Sequence, residues 1–255
     1  MKVYFGDDSP IDRLVRPSAL WATGRLRAVL SFLRGVSLRT VVFVDGYNLY
    51  YGLLRKSNLK WLDLYSLFKD HVLDDRARLL QVRYYTAPVL GRMSDDSRST
   101  QRQRTYLQAL RKMYSGKLEI IEGKIIATTP YQRLVHPIPG APHVEKVQVL
   151  DFNEKKTDVN LASDMLAGAW TCAFEQAILC SNDSDLEGAF STIKRYLPQI
   201  RLGLVAPVLG EDHRRISKDL SQHADWSKIL SPVHLKNSQL PDRIPNSALY
   251  RPDVW

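Results

Sequence analysis

From Thr40 onward, β-rich apolar runs alternate with stretches of helical apolar spacing, which predicts a parallel sheet with helices packed on its faces. The first run, Val41 to Val44, stops abruptly at Asp45-Gly46-Tyr47-Asn48. Helical segments are expected around Leu49 to Arg55 and Leu62 to His71, then a strand across Leu79 to Thr86 ended by Pro88. A helix from about Ser97 to Tyr114 carries Tyr106, Leu107, Leu110, Met113 and Tyr114 as one apolar stripe. Arg98, Arg102, Arg104, Arg111 and Lys112 fall on its remaining circumference, where they form either a solvated face or a nucleic-acid contact surface. Lys117 to Gly123 reads as a third strand. Further on come a helix over Thr157 to Trp170, a buried strand over Ala177 to Cys180 and a helix over Leu186 to Tyr196. A strand over Ile200 to Val205 and a final helix over Ser217 to His223 complete the pattern.

Three segments break the rhythm. Between Lys124 and Lys156, prolines 130, 137, 139 and 142 surround a turn at Pro139-Gly140 flanked by β-like runs. The expected structure is a hairpin insertion over the edge that carries Asp45, since long loops in compact domains often act as lids or binding elements. Residues 1–39 hold five arginines and no acid from Arg16 to Arg39, with an apolar helical stretch around Leu26 to Leu33. A transit peptide is conceivable on that composition, but Asp7, Asp8 and Asp12 come first, which favours a helical extension or docking arm. Residues 231–255, with prolines 232, 241, 245 and 252, are expected to wrap over a domain spanning 40–230.

Carboxylates recur where strands end. Asp45 closes the first run, and Asp183 and Asp185 in Ser181-Asn182-Asp183-Ser184-Asp185 close the Ala177 to Cys180 run. In an open α/β sheet the carboxyl ends of parallel strands line one crevice, and negative charge gathered there calls for a divalent cation or a shared proton. Asp158 opens the Thr157 helix, either as a helix cap or as a third member of this group. Asp164, six residues on, is about 240° around the helix from Asp158, so a salt bridge or supporting role suits it better. Asn48 either orients a carboxylate or metal-bound water, or simply forms a turn. Lys155 and Lys156 stand next to this edge and are candidate phosphate contacts.

Composition sharpens the reading. The formal net charge of +9, from 36 basic and 27 acidic residues, favours a polyanionic partner, and with an acidic pocket the surface would gather the polyanion while the pocket held a metal. Two cysteines, Cys172 and Cys180, are too few for a disulfide framework and suit a reducing, cytoplasmic setting. No apolar run approaches the roughly 20 residues needed to span a bilayer. Tyr47 stands where a haloacid-dehalogenase-like phosphatase would carry its second aspartate, and neither a Walker A sequence nor a G-x-S-x-G elbow occurs.

The blocks VFVDGYNLYYGL, KKTDVNLASDML and AILCSNDSDLEGAF resemble the three signature blocks of NYN domains, relatives of the PIN-type nucleases. The resemblance covers about residues 40 to 230. It implies a three-layer α/β, PIN-like or Rossmannoid fold with a central, mainly parallel sheet, to which the hairpin insertion is added. It also implies a Mg²⁺- or Mn²⁺-dependent nuclease, an endoribonuclease by preference, with single-stranded or structured RNA as partner. Asp45, Asp158 and Asp183 would form the metal-binding core, with Asp185 and Asn48 beside them and Asp164 in support. Asn182 stands where glycine is common in this block. The rival expectations are a catalytically silent RNA-binding protein of the same fold, and a nuclease subunit of a larger assembly docked through residues 1–39 or the C-terminal tail, with a homo-oligomer or protein partner through residues 1–39.

Overall fold

The computed structural model describes residues 37–91, 96, 98–208, 215–253 and 255. The expected N-terminal helical extension therefore lies outside the described residues, apart from its last three positions. Among the described residues, six parallel strands form one sheet in the order β10-β9-β8-β1-β2-β3. Strand β1 (Leu38–Asp45) lies in the middle, between β2 (Ala77–Thr86) and β8 (Gln176–Cys180). The outer strands are β3 (Leu118–Glu122) on one side, with β9 (Arg201–Ala206) and β10 (Trp226–Ile229) on the other.

Alternation along β1 explains the layers, because successive side chains of a strand point to opposite faces. Val42 and Val44 join a core with Trp61, Leu64, Phe68 and Leu110. These residues come from the segment after α1 (Gly46–Leu49), from α2 (Leu64–Ser66) with its π-helical continuation (Leu67–Val72), and from α3 (Ser99–Met113). Val41 and Phe43 pack on the other face against Leu161 and Met165 of α4 (Thr157–Trp170) and Phe190 and Ile193 of α5 (Glu187–Tyr196). Both faces of β8 are covered, and all five of its residues are buried, which is why its sequence is apolar throughout.

Two features after residue 215 differ from the sequence expectation. The Ser217 to His223 segment is only the short α6 (Lys218–Ser221), and it is followed by β10 and by α7 (Pro232–Asn237). The strand escaped notice because Trp-Ser-Lys-Ile is half polar, as an edge strand can be. The proline-containing tail does wrap the domain, and it also completes the core. Leu235, Leu240 and Ile244 are buried with Trp61, and the Trp61 indole donates to the Pro241 carbonyl at 3.0 Å. The Trp255 ring meets those of Trp61 and Tyr106 at 6.1 and 5.5 Å.

The insertion is a nested pair of antiparallel ribbons. Strand β4 (Lys124–Thr128) pairs with β7 (Asp151–Lys155), and inside them β5 (Tyr131–Arg133) pairs with β6 (Lys146–Gln148). Its base is pinched at Gly123, whose N–H donates to the Thr86 carbonyl at 2.7 Å. A Cβ there would collide with the Thr157 hydroxyl and the Lys155 carbonyl. The returning strand thus reaches α4 beside the carboxyl end of β2, through Lys156 in the left-handed conformation at φ 83°.

Candidate active site at the carboxyl edge of the sheet

The strand register fixes which side chains can meet. Val44 pairs with Cys180 and Asp45 with Tyr85, so Asp45 and the residues just after Cys180 emerge at the same edge. Asp45 is only 3% exposed. One carboxylate oxygen accepts the Asn48 N–H at 2.9 Å, capping α1, and the other accepts the Ser181 hydroxyl at 2.8 Å. Ser181 in turn accepts the Asp183 N–H at 3.1 Å, and Asp183 accepts the Asp185 N–H at 3.0 Å. Gly46 is required beside this turn, because a Cβ there would lie 2.5 Å from the Tyr85 carbonyl oxygen and 2.8 Å from the Tyr84 ring.

Asparagines clasp the edge. The Asn48 side-chain oxygen accepts the Asn182 N–H at 3.0 Å. Asn182 donates its amide to the Arg215 carbonyl at 3.1 Å and accepts the Ser217 N–H at 2.7 Å. An asparagine in place of the common glycine therefore ties the β8 turn to the start of α6, a role glycine has no side chain to fill.

Electrostatics identifies the members of the group. Burial pushes the Asp45 carboxyl up to about 6; the bonds from Asn48 and Ser181 pull the other way, and the charges of Asp158 and Asp183 add to the rise. Asp158 faces solvent, yet the surrounding protein and the charges of Asp183 and Asp185 raise its pKa as well. Helix α4 begins after Lys156 with no side-chain cap, so Asp158 is not spent as a helix cap. Asp183 does act as a cap, for the 3₁₀ turn Ser184–Leu186, while also facing the group.

Glu154 is a fifth carboxylate that sequence reasoning missed. Burial raises its pKa, the nearby Thr157 hydroxyl pulls the other way, and the charges of Asp158 and Asp45 add to the rise. Its Oε1 is buried without a hydrogen-bond partner, as is the hydroxyl of Tyr47, whose pKa is raised by burial and by the Glu154 charge. Glu154 lies on β7, inside the insertion. Only the pinch at Gly123 and the left-handed turn at Lys156 bring it back to the sheet edge, and no local pattern signals that path.

Other candidates sit elsewhere. Asp164 accepts the Tyr85 hydroxyl at 2.8 Å and pairs with Arg83 at 3.5 Å, a structural contact on the underside of β2. Arg102 is ion-paired with Asp96 at 2.6 Å, whereas Arg98 and Arg104 are exposed on or next to α3 and Lys155 and Lys156 are exposed beside the acidic edge. His223 bonds Glu187 at 2.7 Å, and no histidine is among the groups acting on Asp45, Asp158 or Glu154.

The donors of this edge are carboxylate oxygens, the chemistry of hard divalent cations. Among the described residues no three His, Cys, Asp or Glu side chains converge as a ready metal cage. The set does not fit a fully caged ion; an ion bound there would have to keep much of its water and take one or two carboxylates.

This is a three-layer α/β domain with carboxylates gathered at the carboxyl edge of its parallel sheet, the edge where ligands bind in open α/β folds. Residues 39–225 match the model of the NYN domain, and the chain belongs to that family. It is 32% identical over 237 residues to 6-hydroxy-3-succinoylpyridine 3-monooxygenase HspA of Pseudomonas putida, covering 86% of this chain and 75% of that protein. A solved structure of a protein of unknown function from Vibrio parahaemolyticus is similar over 80% of this chain and 97% of its own, at 18% identity and a TM-score of 0.47. Among the described residues, no helix is long and apolar enough to cross a membrane.

Proposed function

We propose that this protein is a metal-dependent ribonuclease that hydrolyses RNA phosphodiester bonds at the edge carrying Asp45, Asp158 and Asp183. The supporting observation is the mutual action of those three carboxylates with Asp185 and Glu154, each raising the pKa of at least one neighbour or being raised by it. Such a concentration of like charge is costly unless a cation or a shared proton relieves it.

One or two of Asp45, Asp158 and Asp183 would hold Mg²⁺ or Mn²⁺, which when bound would supply activation of water and neutralisation of charge on the leaving oxygen. The chain's own residues do the rest. Asp45 is fixed through both oxygens, so its position is set before substrate arrives. Asp158, at the solvent side, is the carboxylate free to adjust. Lys155 and Lys156, exposed next to it, attract the phosphates that the carboxylates alone would repel. Water oxygen adds to phosphorus, the bond from phosphorus to the leaving ribose oxygen breaks, and a proton passes to that oxygen.

Cleavage of end-labelled single-stranded RNA and DNA under Mn²⁺, Mg²⁺ or EDTA tests this, with the wild type beside Asp158→Asn. Metal-dependent RNA cleavage lost in the variant supports the reading. RNA retention indifferent to EDTA, with no cleavage under any metal, replaces it with a silent binding protein.

The likeness to the Pseudomonas putida monooxygenase favours a second reading, oxygenation of a hydroxypyridine ring. It ranks below the first because an all-carboxylate donor set suits hard, redox-inert ions better than the imidazole-containing sites of oxygen-activating iron. Oxygen consumption dependent on 6-hydroxy-3-succinoylpyridine and an electron donor would reverse that order.

A further inference from the structure

The helix capped by Asp45 turns a row of tyrosines away from the core. Leu49, Leu53 and Leu54 are buried, whereas Tyr50 and Tyr51 are 38% and 50% exposed. Directly after α1 the chain widens into a π-helical turn (Tyr50–Leu54), closed by the Arg55 N–H on the Tyr50 carbonyl at 2.7 Å. Such turns are rare and concentrate at functional sites.

The rings are grouped. Tyr51 lies 5.8 Å from Tyr47, tilted by 33°, and 5.3 Å from Tyr50, edge-on at 86°. The Arg55 guanidinium sits 5.3 Å from the centre of the Tyr51 ring. Arg55 and Arg102 both act electrostatically on the Tyr50 hydroxyl, and Arg102 also acts on the Lys60 amine. Arg55 therefore lies over the Tyr51 ring, and Arg102, itself paired with Asp96, lies within electrostatic range of Tyr50. At the other end of the row, Tyr47 stands two residues after Asp45 and within electrostatic range of Glu154. The row thus leads from solvent to the acidic edge.

Singly scattered surface aromatics need no explanation. A contiguous pair with a stacked cation, one turn from the carboxylate that caps its helix, does. Aromatic faces flanked by cations are the means by which proteins hold unpaired bases, the rings taking the base and the cations the phosphates. Bases within a duplex are already stacked and hydrogen-bonded, so such a surface selects single strands.

We propose that Tyr50 and Tyr51, with Arg55, form a stacking platform for the bases of single-stranded RNA on its way to the acidic edge. This rests on RNA being the ligand in the reading above. The platform sets strandedness and tolerates any base, since every base has a flat face.

The test reads binding without cleavage: fluorescence anisotropy of a short labelled oligouridylate with the full chain in EDTA. The double variant Tyr50→Ala/Tyr51→Ala should bind roughly tenfold or more weakly. Both side chains are exposed, so the fold is not at risk. Tyr51→Phe, which keeps the ring, should stay within about twofold of wild type. An abasic strand of equal length should bind wild type only as weakly as the base-bearing strand binds the double variant.

Equal affinity for wild type and double variant, or for abasic and base-bearing strands, overturns the platform. Binding of 6-hydroxy-3-succinoylpyridine, lost in the double variant, with none of the oligouridylate gives the surface to a free pyridine ring and also overturns it. Base-dependent binding by a wild type that never cleaves under any metal leaves the platform standing and removes the hydrolase reading alone.

Discussion

Replacing Asp45 with asparagine should stabilise this protein at neutral pH in the absence of divalent ions. In the folded chain burial and the neighbouring carboxylates raise the Asp45 pKa from an ordinary 3.8 to about 6. The unfolded chain therefore releases this proton more readily, and ionised Asp45 opposes folding. Below about pH 4 both states hold the proton and the penalty vanishes; it grows as pH rises and is complete above the folded value. At about 1.4 kcal/mol per tenfold change in proton affinity, the full penalty is roughly 3 kcal/mol. Asparagine caps helices as well as aspartate does, so the bond to the Asn48 N–H survives. The Ser181 hydroxyl loses its acceptor, which costs about 1 kcal/mol. The expected net gain is about 2 kcal/mol at pH 7.5, shrinking to nothing or changing sign near pH 4. Urea unfolding in EDTA at these two pH values measures it through the midpoint at constant slope. A variant no more stable than wild type at pH 7.5, or an advantage that does not decline on acidification, refutes the electrostatic account of this edge.

Other expectations follow from the same structure. Gly46→Ala places a methyl against the Tyr85 carbonyl and the Tyr84 ring, and should cost about 1–3 kcal/mol, measured by urea midpoint. Leu235→Ala, in the tail helix and buried against the core, should cost about 2–5 kcal/mol in the same assay; a negligible loss would show the tail to be a mere wrapping. Lys156→Gly relieves a left-handed residue and should raise stability by up to about 1 kcal/mol. If Lys156 meets a phosphate, the same variant lowers the salt dependence of RNA binding by about one ion. Asp158→Asn, at an exposed position, should shift the urea midpoint little while removing metal-dependent cleavage, and a large stability change would argue that Asp158 serves the fold.

The sheet and its helices were legible because their signals are local. Val41 to Val44 and Ala177 to Cys180 are apolar runs with abrupt acidic ends, and Thr157 to Trp170 keeps helical spacing from end to end. The convergence of Asp45 with the turn after Cys180 was legible for a related reason: parallel strands separated by a helix must end at one edge. Strand β10 was not, because its half-polar sequence carries no burial signal. Glu154 was not, because its place depends on the path of a 33-residue excursion between Lys124 and Lys156. The buried part of the tail was hidden by its prolines, which predict turns but do not forbid Leu235, Leu240 and Ile244 from filling the space around Trp61.

The cost borne at Asp45 bears on the proposed cation. A group of carboxylates that merely capped helices would gain from being ionised, and burial would be relieved by bonds alone. Here Asp45 has two good bonds and still sits well above its ordinary pKa, so hydrogen bonding does not compensate the burial and the like charges. A ligand that binds only the folded state stabilises it by RT ln(1 + [L]/Kd), about 2.7 kcal/mol at a hundredfold excess over Kd, which is of the same size as the penalty. Adding Mg²⁺ or Mn²⁺ should therefore raise the wild-type urea midpoint at pH 7.5 by a comparable amount. Asp45→Asn should gain much less, so the order of stability between the two proteins closes or inverts as the ion is added. A parallel gain in both, or none in either, would separate the acidic edge from divalent ions and leave its charge without the compensation proposed for it.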